Sequence, residues 1–152
     1  MKEAEWREYR LCLPHFRLQG ATYFVTWRLA PSQSELIGPE RTVVVEALQH
    51  LAGQRYDLSA FVVMNDHVHA LVHPHPDWRL EEIIHSWKSF TAHTFVRSSG
   101  RQAPVWLHES YDRIVRDRAE FDEKLAYILN NPKKRWPSLT EYEWMGCSLR
   151  SS

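Results

Sequence analysis

Four residues in two short stretches have the types and spacing to do chemistry together. The first stretch is Phe61-Val62-Val63-Met64-Asn65-Asp66-His67-Val68-His69-Ala70-Leu71-Val72-His73, centred on His67-Val68-His69. In a strand, successive side chains alternate faces. His67 and His69 would project one way, and Val68, Ala70 and Val72 would line a core on the other. Two imidazoles on a rigid strand can grip one divalent metal ion. The second stretch is Tyr127-Ile128-Leu129-Asn130-Asn131-Pro132. Tyr127 and Asn131 are four apart and share a face if the segment is helical. Asn131 would then be the third ligand: an amide oxygen is a neutral, hard donor suited to Mg²⁺ or Mn²⁺, while the imidazoles favour Mn²⁺ or softer ions. Tyr127 would be the nucleophile. A phenol of pKa about 10 needs a strongly activated electrophile. A phosphodiester polarised by the metal is one, and attack would leave a phosphotyrosine and release a hydroxyl.

Each feature also has a plainer reading. With nine histidines in the chain a His-x-His spacing arises easily by chance, and His73-Pro74-His75 is a second. The pair could be polar strand residues facing solvent. Tyr127 could sit at the edge of a core, and Asn131 could simply close a helix before Pro132. On these residues alone both readings stay open.

The elements that must position them follow from composition and pattern. A chain of 152 residues, 43% apolar and 12% aromatic, predicts one domain with a single core and excludes extensive disorder. Lysine plus arginine and aspartate plus glutamate balance at 19 each, so only the distribution of charge can speak for or against nucleic acid. Cys12 and Cys147 give neither a disulfide framework nor zinc spacing. No apolar run is long enough for a membrane span, and Met1-Lys2-Glu3-Ala4-Glu5-Trp6 lacks a signal peptide's apolar core, so a cytoplasmic location is expected.

After a polar arm over residues 1–20, the aromatic and β-branched run at 21–29 predicts a strand. Pro39-Glu40 opens a helix carrying Val43, Val44, Ala47, Leu48 and Leu51, which Gly53 ends. Residues 58–64 and 67–73 predict a second and third strand. A second helix follows, with Leu80, Ile83, Ile84, Trp87, Phe90 and Phe95 on an apolar stripe and His85, Lys88, Ser89, Ala92 and His93 on its polar side. Residues 104–115 predict a fourth strand, broken or bulged at His108-Glu109-Ser110. A third helix is predicted from Arg118 to Asn130, ending before Pro132, with a weakly patterned tail beyond. Strand, helix, strand, strand, helix, strand is the order of the ferredoxin-like βαββαβ unit, an α+β antiparallel sheet backed by helices, here with an additional C-terminal helix. That architecture alone does not give function.

Met64-Asn65-Asp66-His67-Val68-His69-Ala70-Leu71-Val72 resembles the HUH motif of single-tyrosine transposases, two histidines around one bulky apolar residue. Tyr127-Ile128-Leu129-Asn130-Asn131-Pro132 resembles the catalytic-helix signature of their REP-associated branch. Leu13-Pro14-His15, Gly20-Ala21-Thr22-Tyr23-Phe24-Val25-Thr26, the segment from His85 to His93 and Tyr111-Asp112-Arg113-Ile114-Val115-Arg116-Asp117 resemble that branch too, in the same order, over roughly residues 11–135. The resemblance implies a ferredoxin-like HUH nuclease domain over 21–135, between the arm at 1–20 and a tail at 136–152. It implies metal-dependent cleavage and rejoining of single-stranded DNA near hairpins. The 5′-phosphotyrosyl link would form at Tyr127 and Mg²⁺ or Mn²⁺ would sit on His67, His69 and Asn131. The protein would act as a monomer with its own tyrosine in place, or as a homodimer. The sequence departs from the branch at Asn65-Asp66, where Pro-Asn is common, and at Lys133-Lys134-Arg135-Trp136, where a basic residue and Ala-Gly usually follow Val.

Single-stranded DNA binders combine positive charge with aromatic side chains. Lys88 and Thr91 on the second helix, Arg113 and Arg116 before the third, and Lys133, Lys134 and Arg135 at its end are the candidate DNA contacts. Two other functions fit the residues: a catalytically retired transposase that still binds hairpin DNA, and a ferredoxin-like metal hydrolase or structural domain unrelated to DNA.

Overall fold

The computed structural model describes residue 16 and residues 19–148. Most of the expected N-terminal arm, the Leu13-Pro14-His15 motif and residues 149–152 lie outside the described residues. Five strands and three helices follow one another as β1 (Thr22–Arg28), α1 (Gly38–His50), β2 (Tyr56–Val63), β3 (His67–Pro74), α2 (Leu80–Ser98), β4 (Tyr111–Val115), α3 (Arg118–Arg135) and β5 (Met145–Cys147). They form one sheet in the order β4-β1-β3-β2-β5, antiparallel at every pairing. Without β5 this is the ferredoxin-like βαββαβ sheet that the element order predicts. Among the described residues no helix is long and apolar enough to cross a membrane.

Strand alternation divides the side chains between two cores. Val25 and Trp27 of β1, Phe61 and Val63 of β2, and Val68, Ala70 and Val72 of β3 pack under α1 and α2. Trp27 stacks on Trp87 at 5.5 Å and meets Trp106 edge-on at 6.0 Å, so the aromatic content is spent here. The Trp87 indole donates to Tyr56, whose hydroxyl donates to the Leu48 carbonyl, joining α2, β2 and α1. The opposite sheet face presents Phe24, Ala60, Val62, Met64 and Leu71, and α3 lays Phe121, Ile128 and Leu129 across it. Burial of each such large apolar side chain contributes about 1.5–3 kcal/mol. α3 is therefore held by its apolar face, and Asp117 caps its start by accepting from the Glu120 amide at 2.8 Å.

Four expectations need correction. α3 does not stop before Pro132: the helix runs through it to Arg135, with Pro132 buried and the Trp136 amide donating to the Pro132 carbonyl at 2.7 Å. Packing against the sheet outweighs the one helical hydrogen bond that proline cannot make. On α2, Phe90 is exposed and Thr91 takes its place on the buried stripe. The tail contributes β5, which extends the sheet beyond β2. Cys147 of β5 is disulfide-bonded, which the composition did not lead us to expect; Cys12 lies outside the described residues.

Candidate active site

The sheet register places the histidines. Thr26 of β1 and Val62 of β2 flank His69 of β3, and Arg28 lies opposite His67. All belong to the face that α3 covers. The two imidazole rings stand 4.7 Å apart, centre to centre. Tyr127 comes down from α3 with its ring 5.2 Å from that of His69. Phe24 completes the cluster, stacked on His69 at 5.3 Å and edge-on to Tyr127 at 5.9 Å. Tyr127 remains 46% exposed, open to an incoming molecule. Beside it a shallow pocket of about 260 Å³ is lined by Lys124, Tyr127, Asn130, Asn131 and Lys134, among others. Asn131 thus shares a pocket with Tyr127 one turn along the same helix.

Each histidine has one ring nitrogen engaged. His69 Nδ1 lies 2.7 Å from Thr26 Oγ1 and His67 Nδ1 lies 2.7 Å from Asp66 Oδ1. An ionised carboxylate can only accept, so His67 Nδ1 is the donor in that bond. His69 Nε2 is buried and has no hydrogen-bond partner among the described residues. Burial, and after it the nearby charges of His67, Arg28 and Lys124, push the His69 pKa down to about 3. At neutral pH its ring is uncharged, the form that ligates a metal. A neutral imidazole with Nδ1 held and Nε2 orphaned fits a metal-ligand role, since ligating histidines commonly have the other nitrogen fixed in this way. Among the described residues no group of three or more His, Cys, Asp and Glu could hold a metal ion. A set completed by an amide oxygen belongs to a different class.

The Asn65-Asp66 departure has a structural account. Asn65 is buried; its side chain donates to Glu35 and its carbonyl accepts from the Leu36 amide at 2.7 Å. Asp66 holds His67. The turn is therefore fastened on both sides of the strand start.

The structure separates the expected DNA contacts. Thr91 is fully buried; its hydroxyl donates to the Trp87 carbonyl and accepts from the Trp106 indole, so it is a core residue and not a phosphate contact. Lys88 Nζ donates to the carbonyls of Leu107 and His108 and to Ser110 Oγ, at 2.7, 2.9 and 3.1 Å. All three ammonium protons are used to hold the segment entering β4, and burial lowers the lysine's pKa. Arg113 pairs with Glu120 at 3.0 Å on the surface. Arg116, Lys134 and Arg135 are exposed and Lys133 is half-buried. Lys133, Lys134 and Arg135 occupy the last turn of α3, where cations complement the helix dipole. Only Lys134 of the seven lines the pocket beside Tyr127. Sequence reasoning missed Thr26, Phe24 and Lys124. Lys124 was legible as the residue one turn before Tyr127; the other two depend on strand register.

The sheet thus brings paired histidines beneath a helix-borne tyrosine, and comparison with known families gives the class to which the chain belongs. Residues 21–131 match the family model described as "Transposase IS200 like". The chain belongs to that family, and its coarse function is transposase-like and DNA-binding. No curated protein matches the chain. Among solved structures, it is similar to a REP-associated tyrosine transposase bound to a REP hairpin, with 21% identity and a TM-score of 0.65 over 82% of this chain and 73% of that one. It is also similar to a protein from Deinococcus radiodurans R1 designated a transposase, with 19% identity and a TM-score of 0.55 over 75% of this chain and 95% of that one. At these identities the two structures establish the shared fold.

Proposed function

We propose that the protein cleaves and rejoins single-stranded DNA near hairpins, as a metal-dependent HUH endonuclease and strand transferase of the REP-associated type. The observation that carries this reading is the meeting of Tyr127 with His69, whose Nε2 is buried and orphaned. Family membership supports DNA as the substrate class, and the hairpin bound by the structurally similar transposase supports the choice of DNA form. His67, His69 and Asn131 would hold Mg²⁺ or Mn²⁺, which when bound would polarise a phosphate oxygen. Asp66 and Thr26 keep the imidazoles oriented. The Tyr127 oxygen attacks the phosphorus; the Oη–P bond forms as the P–O3′ bond breaks. The phenolic proton passes to water and the departing 3′ oxygen takes one up. The DNA is left joined to Tyr127 through its 5′ phosphate, and a 3′-hydroxyl can reverse the step to rejoin it. Tyr127 packs on a histidine of its own chain, which supports a monomer with its site complete. The unit carrying this activity is residues 21–135.

The test is nicking of single-stranded oligonucleotides that carry the hairpins flanking the protein's own gene. Site-specific cleavage in Mg²⁺ or Mn²⁺, abolished by chelator and by His69→Ala, is expected. Cleavage that continues unchanged in excess chelator would contradict the metal requirement.

A further inference from the structure

We propose that Lys124 is the cation that holds a non-bridging oxygen of the scissile phosphate beside Tyr127. This rests on the reading of Tyr127 as nucleophile and adds a group to its site. Lys124 stands three residues before Tyr127 on α3, so the two share a helix face, and both line the same pocket with Asn131. Its ammonium lies 5.0 Å from the centre of the Phe24 ring. That ring is the one that stacks on His69 and meets Tyr127 edge-on.

Two cations close to Lys124 differ in their partners. Arg113 and Arg118 are each on a carboxylate, Glu120 and Asp122, at 3.0 Å. Lys124 makes no such pair among the described residues; an aromatic face is what it rests on. A cation–π contact leaves the ammonium protons free for an anion. Lys134 also lines the pocket, but it is exposed at the far end of the helix, where the dipole accounts for a cation.

The chemistry gives such a cation a task. As the Tyr127 Oη–P bond forms and the P–O3′ bond breaks, negative charge concentrates on the phosphate's non-bridging oxygens. A fixed cation there stabilises the transition state more than the ground state. Lys124 would thus oppose that charge from the helix side, with the histidines on the sheet side.

The experiment compares wild type, Lys124→Gln, Lys124→Arg and Tyr127→Phe on one hairpin oligonucleotide with a single-stranded flank. Melting temperature and equilibrium binding are measured first, then the single-turnover rate of the covalent protein–DNA adduct at saturating protein. For Lys124→Gln the expected result is an unchanged melting temperature, hairpin affinity within about threefold of wild type, and an adduct rate lower by about a hundredfold. Lys124→Arg should recover most of that rate, since it keeps the charge. A Lys124→Gln rate within twofold of wild type would overturn the proposal. So would equal losses in Lys124→Gln and Lys124→Arg accompanied by a lower melting temperature, which would make Lys124 a packing residue. Failure of wild type itself to form an adduct would instead overturn the nucleophile assignment, and this inference with it.

Discussion

His69 has one ring nitrogen held by Thr26 and the other buried with no partner among the described residues. An unsatisfied buried polar atom costs about 1–3 kcal/mol, a cost that a ligand there relieves. The same burial makes the residue a source of acid sensitivity. Its pKa is about 3 in the folded protein against 6.5 for an ordinary histidine. The unfolded chain therefore takes up a proton below pH 6.5 that the folded one refuses until about pH 3. The stability tied to the neutral ring is present in full above 6.5 and is lost as pH falls toward 3. The slope is about 1.4 kcal/mol per pH unit, so roughly 2 kcal/mol should be gone by pH 5. Urea denaturation at pH 7.5 and pH 5, with His69→Gln as comparison, measures it. The variant should lose less stability than wild type across that interval, and an equal loss would remove His69 as the cause.

At the level of elements, α3 is the piece that turns a common sheet into a site. It was legible in part. The Tyr127–Asn131 spacing picks out the helix face that lines one pocket, and the alternation around Val68 picks out the strand face that α3 covers, because both periods are local properties of the chain. The helix end was misread because Pro132 argues locally for a stop, whereas burial against the sheet, a tertiary effect, carries α3 to Arg135. Thr26 and Phe24 were out of reach because only strand register brings them to His69. The polar side of α2 was misread for the same kind of reason. Lys88 looked like a phosphate contact, yet its three protons hold Leu107, His108 and Ser110. Lys88→Met should thus lower stability by about 1–3 kcal/mol, through the acceptors left unpaired. The slope of hairpin affinity against salt, which counts phosphate contacts, should stay as in wild type. A slope reduced by about one unit would return Lys88 to the DNA-binding surface.

Over the whole molecule, a chain of polar contacts links the far end of α2 to the histidine turn. Arg101 meets Glu40 through two bonds of 2.6 and 2.7 Å and donates to the Ser34 and Glu35 carbonyls. The Glu35 side chain in turn accepts from Asn65, beside Asp66. Burial alone would raise the Glu40 pKa, but the Arg101 hydrogen bonds and the Ile37 amide bring it below the ordinary value. Both side chains of the pair are buried, so Arg101→Met should cost about 3–5 kcal/mol in urea denaturation by stranding the carboxylate. A loss below about 1 kcal/mol, the value of a surface pair, would show that the latch is solvated. The central claim concerns the site that this frame holds, and trapping its intermediate tests it most directly. Protein is mixed with the hairpin-bearing single strands in Mg²⁺ or Mn²⁺, denatured, resolved on a gel, and the adduct digested for peptide mapping. A covalent protein–DNA species mapped to Tyr127, absent in Tyr127→Phe while hairpin binding persists, is the predicted result. An adduct that survives Tyr127→Phe would contradict the account, as would wild-type protein that binds the hairpins but never becomes joined to them.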